Sequence, residues 1–115
     1  MDKIYKQTML FDFYGELLTE HQRRVYEDAV YQDMSLGEIA EELGISRQGV
    51  HDLIRRCDKI LLDYESKLHL VERFDRAKET VRAIEGLTNQ AEGTMDIPDR
   101  LQAIRSLARK LLEEL

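Results

Sequence analysis

The chain has 115 residues, of which 43% are hydrophobic and 35% charged, and its formal net charge is −6. This length fits one small domain, or a small domain with a helical extension. No run of about 18 apolar residues is present, so we expect no membrane insertion, and the N-terminal residues lack the apolar run of a signal peptide. The single cysteine, Cys57, excludes an internal disulfide and favours the reducing cytoplasm.

The first half of the chain predicts helices from its first residues onward. Apolar and aromatic residues recur at helical spacing from Ile4 to Leu18, which predicts a helix over residues 3–18 with both residues on its aromatic-rich buried face. Thr19 then has the position of an N-cap, and a second helix is expected over residues 20–32.

The stretch SLGEIAEELGISRQGVHDLIRRC, residues 35–57, has the spacing of a helix-turn-helix. Ser35 and Ser46 are placed to cap its two helices, and the second helix is expected to continue to about Tyr64. Ala40 supplies the small residue at the helix crossing, and Gly44 supplies a turn residue that tolerates positive φ. The apolar residues expected to lock the two helices together are Ile39, Leu43, Ile45, Val50 and Leu53.

The second helix of this motif carries the candidate nucleic-acid contacts. In a helix-turn-helix its exposed start faces the base edges, so Arg47 could pair with guanine and Gln48 with adenine. The full candidate set is Arg47, Gln48, His51, Arg55, Arg56 and Lys59. Asp52 lies on or near the same face, which leaves a second interpretation in which the arginines are solvated partners of nearby carboxylates.

The C-terminal half carries two apolar stripes with heptad spacing. They predict helices near residues 67–87 and 98–115, joined by a loop over residues 86–99, which contain the only proline. Such stripes would pair as an antiparallel hairpin or pack on a second chain, and we expect a homodimer. The candidate dimerisation residues are Leu70, Phe74, Val81, Ile84, Leu101, Ile104 and Leu111.

No catalytic chemistry is indicated by the sequence. The three histidines are far apart and no histidine or cysteine has metal-ligand spacing, so neither a metal nor another cofactor is expected. Cys57 falls in the apolar stripe of the fourth helix and is interpreted as a core residue. The chain is therefore expected not to be an enzyme.

Two resemblances add to these expectations. The stretch from Leu18 to Leu68, which begins LLTEHQRRVYEDAVYQDMSLGEIAEEL, resembles the fourth region of bacterial sigma factors. The opening MLFDFYGELLTEHQRRVYEDAVYQDMSLGEIAEELGISRQGVHDLIRRC is similar to the YlxM family of Gram-positive bacteria, and the likeness continues weakly into the last two helices.

The second resemblance implies a small, all-α, dimeric protein whose gene lies beside those of the signal recognition particle. We expect a helix-turn-helix domain over residues 1–65 and a C-terminal helical hairpin over residues 66–115. The leading hypothesis is a cytoplasmic regulatory protein whose partners are the protein or the RNA of the signal recognition particle. The alternative is a sequence-specific DNA-binding transcription regulator.

Overall fold

The computed structural model describes residues 2–89 and 95–115, and every regular element in these two ranges is helical, which confirms the all-α fold. The six α-helices are α1 (Lys3–Tyr14), α2 (Glu20–Val30), α3 (Leu36–Leu43), α4 (Arg47–Leu68), α5 (Leu70–Thr88) and α6 (Ile97–Glu114). The chain divides into two compact units, the first ending at Val71 and the second beginning at Glu72.

Reciprocal capping fixes the beginning of α2. The Thr19 hydroxyl accepts from the amide of Gln22 at 3.2 Å, and the Gln22 side-chain oxygen accepts from the amide of Thr19 at 3.0 Å. These bonds satisfy amide groups that would otherwise have no partner at a helix start. The predicted cap at Thr19 is thus confirmed.

The first helix differs from its prediction at both ends. It stops at Tyr14, and residues 15–17 form a short 3-10 turn before the Thr19 cap. Its buried side chains include Leu10 and Tyr14, whereas Ile4 is 61% exposed, so the expected burial of Ile4 was wrong. Ile4 lies in the first turn, and at 3.6 residues per turn it is about a third of a turn around the helix from Leu10.

The core of the first unit has two clusters that both include residues of α4. Buried side chains of the first cluster are Leu10, Tyr14, Leu18, Tyr26, Cys57 and Leu61. Those of the second are Val25, Ile39, Ala40 and Val50. Because α4 supplies residues to both clusters, its position is fixed along much of its length by apolar burial. The predicted placement of Cys57 in the core is confirmed.

Helix α4 continues past the predicted Tyr64 to Leu68, and His69 ends it in the left-handed region with φ 56°. The first amides of α5 then find acceptors within the first unit. Leu70 donates its amide to the Tyr14 hydroxyl at 3.1 Å, and Val71 donates to a carboxylate oxygen of Glu65 at 3.0 Å. The same Glu65 oxygen accepts from the Tyr14 hydroxyl at 2.5 Å.

In the second unit, α5 and α6 run antiparallel. One surface hollow is lined by Ala77 of α5 and by Leu111 near the end of α6. Another is lined by Leu87 near the end of α5 and by Leu101 near the start of α6. Of the predicted loop, residues 86–88 belong to α5 and residues 97–99 to α6, while residues 90–94 lie outside the described residues.

Candidate nucleic-acid interface

The corner between α3 and α4 has the geometry of a helix-turn-helix. Ser35 caps α3 through a capping box with Glu38, and Ser46 caps α4 by accepting from the amide of Gly49 at 3.0 Å. Gly44 ends α3 with φ 70°, a backbone conformation that costs other residues energy. Ala40 is buried where α3 meets α4.

One of the predicted locking residues lies outside this corner. Ile39 and Val50 are buried, and Leu43 and Leu53 are half-buried, but Ile45 is 43% exposed. Ile45 is the single residue between the left-handed Gly44 and the cap Ser46, where the chain turns away from the core. The expected burial of Ile45 was therefore wrong, and the corner is closed without it.

All six predicted contact residues lie on α4, and each of them is exposed: Arg47, Gln48, His51, Arg55, Arg56 and Lys59. Two of them have donors already turned toward the protein. The Gln48 amide donates to a carboxylate oxygen of Asp52 at 2.9 Å. The Arg47 guanidinium lies against Gly37 of α3, where an added Cβ would be 3.1 Å from Nε.

Asp52 is also a neighbour of His51. Its carboxylate oxygen is 3.9 Å from His51 Nδ1, so one carboxylate faces two of the predicted contact residues. A fixed negative charge at this place repels phosphate groups. The start of α4 is consequently less electropositive than its arginine content suggests.

Farther along α4, a surface hollow of about 580 Å³ collects basic side chains from two helices. His51, Arg55 and Lys59 line it from α4, and Lys3 lines it from the first turn of α1. We call these four residues the basic hollow. Lys3 was not identified from the sequence, because its position beside α4 depends on the packing of α1 and α4.

The basic hollow also contains two carboxylates, Asp58 and Asp63. Asp58 accepts from the Gln7 side chain at 3.1 and 3.3 Å and from the Tyr26 hydroxyl at 2.5 Å. Burial and the hydrogen bond to Asp58 raise the pKa of Tyr26, so this hydroxyl remains a donor across the neutral range. These bonds tie the floor of the hollow to the core of the domain.

The predicted dimerisation residues are divided by their exposure. Leu70, Phe74, Val81 and Leu101 are exposed, the last of them by 61%, while three others are half-buried: Ile84, Ile104 and Leu111. The hairpin of the second unit therefore presents a partly uncovered apolar surface.

Some other kinds of site find no support in the described ranges. No cluster of three or more histidine, cysteine, aspartate or glutamate residues that could hold a metal ion occurs in residues 2–89 and 95–115. None of the six helices is long and apolar enough for a membrane crossing. Burial raises the pKa of the Cys57 thiol to about 11, so the thiol is protonated at neutral pH.

Comparison with known proteins relates this architecture to a group of bacterial proteins. Residues 1–100 match the family UPF0122, which is described as "Putative helix-turn-helix protein, YlxM / p13 like". A UPF0122 protein of Desulforamulus reducens is 38% identical over 99% of this chain and 97% of its own length. One from Thermoanaerobacter pseudethanolicus is 41% identical, with 97% and 96% covered. One from Clostridium kluyveri is 45% identical, with 73% and 76% covered. The chain therefore belongs to the UPF0122 family of YlxM-like helix-turn-helix proteins.

Proposed function

We propose that this protein is a cytoplasmic helix-turn-helix regulator that acts in protein targeting by the signal recognition particle, through contact with the particle's protein Ffh or its RNA. The observation that carries a binding role is the α4 surface, which exposes all six predicted contact residues on a chain of net charge −6. The resemblance to YlxM proteins, with genes beside those of the particle, directs the proposal to this system. The role is one of binding, without a catalytic step or a cofactor.

The state of the α4 donors favours contact with a backbone or a protein over the reading of bases. Gln48 is bonded to Asp52, and Arg47 rests against Gly37. Base recognition would require both to leave these positions, because paired hydrogen bonds to a base need free donors. The cations of the basic hollow need no such rearrangement.

The opposite charge is found between α1 and α2, where a hollow of about 450 Å³ is lined by the carboxylates of Asp12, Glu16, Glu20 and Glu27. Arg23 lines it as well, but its guanidinium pairs with Glu16 at 3.1 Å. Acidic surface of this kind complements a basic protein partner, such as one that itself binds RNA.

The test is binding of the purified chain to Ffh, to the particle's RNA and to the complex of both, measured by fluorescence anisotropy up to tens of micromolar. We expect association with at least one of them and its weakening by Arg55→Glu. Arg82→Glu, which reverses an exposed charge on α5, is the matched control and should have little effect. Absence of association with all three components would overturn the proposal.

A sequence-specific DNA-binding role is the second candidate, and the exposure of Arg47 and Gln48 at the start of α4 favours it. Selection from random DNA should then enrich one sequence. Arg47→Ala should abolish this selectivity, whereas Lys59→Ala should lower the affinity for every sequence alike. Enrichment of no sequence would exclude this role.

We further propose that the hairpin of the second unit mediates a homodimer. The uncovered apolar side chains of Phe74, Val81 and Leu101 support this, because such surface is buried favourably against a second copy. Sedimentation equilibrium should give a dimer mass that Leu101→Asp converts to monomer. Gln102→Asp, at the exposed neighbouring position, should leave the dimer intact. A monomer mass for the unmodified chain at high concentration would refute dimerisation.

A further inference from the structure

The basic hollow contains more positive charge than the surrounding protein compensates. His51, Arg55 and Lys59 are spaced four residues apart, so they form one stripe along α4. Lys3 joins the end of this stripe from α1. In residues 2–89 and 95–115, no carboxylate oxygen lies within 4.0 Å of the charged nitrogens of Lys3, Arg55 or Lys59.

Local stability does not explain the place of Lys3. It occupies the first turn of α1, where the helix dipole disfavours a cation and no acidic side chain is present. Bringing it beside Arg55 and Lys59 adds repulsion between like charges. An anionic ligand in the hollow would offset both costs.

The carboxylates of the hollow leave this positive excess in place. Asp58 already accepts hydrogen bonds from Gln7 and Tyr26, so its oxygens are held toward the protein. Asp63 is the one other carboxylate among the residues described as lining it. Three cations and a histidine thus face two carboxylates, one of which is engaged from beneath.

The distance along α4 indicates which anion fits. Lys59 follows Arg47 by twelve residues, which is about 18 Å along the axis at 1.5 Å per residue. The major groove of B-form DNA is about 12 Å wide. A helix with its first turn in the groove would therefore carry Lys59, and Lys3 beside it, to the sugar-phosphate strand that borders the groove.

We propose that the basic hollow binds the phosphodiester backbone of a nucleic-acid duplex, and that Lys3 of α1 is a contact residue outside the helix-turn-helix. This inference rests on the nucleic-acid arm of the proposed function and adds a residue to it. The contact carries no sequence information, because phosphates are shared by all sequences.

The experiment measures the affinity of the full chain for a DNA duplex and for an RNA duplex of the same sequence, over a series of salt concentrations. Lys3→Gln should weaken binding at low salt and lower the slope of log K against log salt by about 0.9 for DNA. Lys6→Gln is the control, since Lys6 is exposed on the same helix and does not line the hollow. Thermal unfolding should be the same for both variants.

The two arms identify the source of the phosphate, because preference for either duplex, or equal binding of both, supports the inference when it depends on Lys3. Equal slopes for Lys3→Gln and Lys6→Gln would overturn it, as would binding of neither duplex at low salt. Association with Ffh and the particle's RNA is measured separately. A loss there with Lys3-dependent duplex binding intact would refute the targeting role alone.

Discussion

Replacement of Gly44 by alanine isolates the energetic cost of the turn between α3 and α4. Gly44 has φ 70°, and a Cβ built on it meets no atom within 4 Å. The added methyl group thus causes no clash, and the cost is that of the left-handed backbone, about 1–2 kcal/mol for an L-residue. We expect Gly44→Ala to lower the free energy of unfolding by this amount.

Gly86 provides a matched control for the same chemical change. It lies in α5, and a Cβ there also meets no atom within 4 Å. Because its backbone is helical, alanine restricts the unfolded chain without strain and should raise the free energy of unfolding by about 0.5–1 kcal/mol. One substitution at two open positions should therefore have opposite signs.

The assay is urea unfolding followed by far-ultraviolet circular dichroism. Gly44→Asn should lose less than Gly44→Ala, since asparagine enters the left-handed region more readily. The reasoning is refuted if Gly44→Ala is as stable as the unmodified chain, or if asparagine at this position is no better than alanine.

Three further outcomes are expected. Asp58→Ala should reduce the free energy of unfolding by about 1–3 kcal/mol, because the buried Tyr26 hydroxyl loses its acceptor; urea unfolding measures this, and Asp58→Asn, which keeps an oxygen acceptor, should lose less. Asp52→Asn should raise duplex affinity roughly two- to fivefold at low salt, equivalent to about 0.5–1 kcal/mol, by removing a negative charge from the candidate interface; anisotropy titrations with no gain would count against that role of Asp52. Stability should fall above pH 9, since the pKa of Cys57 is raised in the folded state from its ordinary 9.0 to about 11 and the unfolded chain loses the proton first. This decline, about 1.4 kcal/mol per pH unit at most from this group, should be shallower in Cys57→Ala when unfolding is measured between pH 9 and 11.

Local signals in the sequence predicted most helix beginnings correctly. Thr19, Ser35 and Ser46 each cap the helix assigned to them. A cap depends on the bond between one side chain and amides two or three residues away, so its chemistry can be identified within a short window. The left-handed turn at Gly44 was predictable for the same reason.

Features that depend on distant residues were missed. The end of α4 is at His69, which adopts positive φ without being glycine, and the Tyr14 and Glu65 side chains satisfy the amides that follow. No short window contains that arrangement. Lys3 escaped identification likewise, because its place beside Lys59 arises from the packing of α1 on α4.

The hydrogen bonds at the start of α5 have a consequence for dissecting the protein. Tyr14 and Glu65 hold the amides of Leu70 and Val71, so six residues past position 65 are still part of the cooperative structure of the first unit. A fragment cut after residue 65 would leave the Tyr14 ring with water where Leu70 belongs. Proteolytic or recombinant separation of the two units should respect a cut after Val71, and a fragment ending there should melt at a higher temperature than one that is six residues shorter.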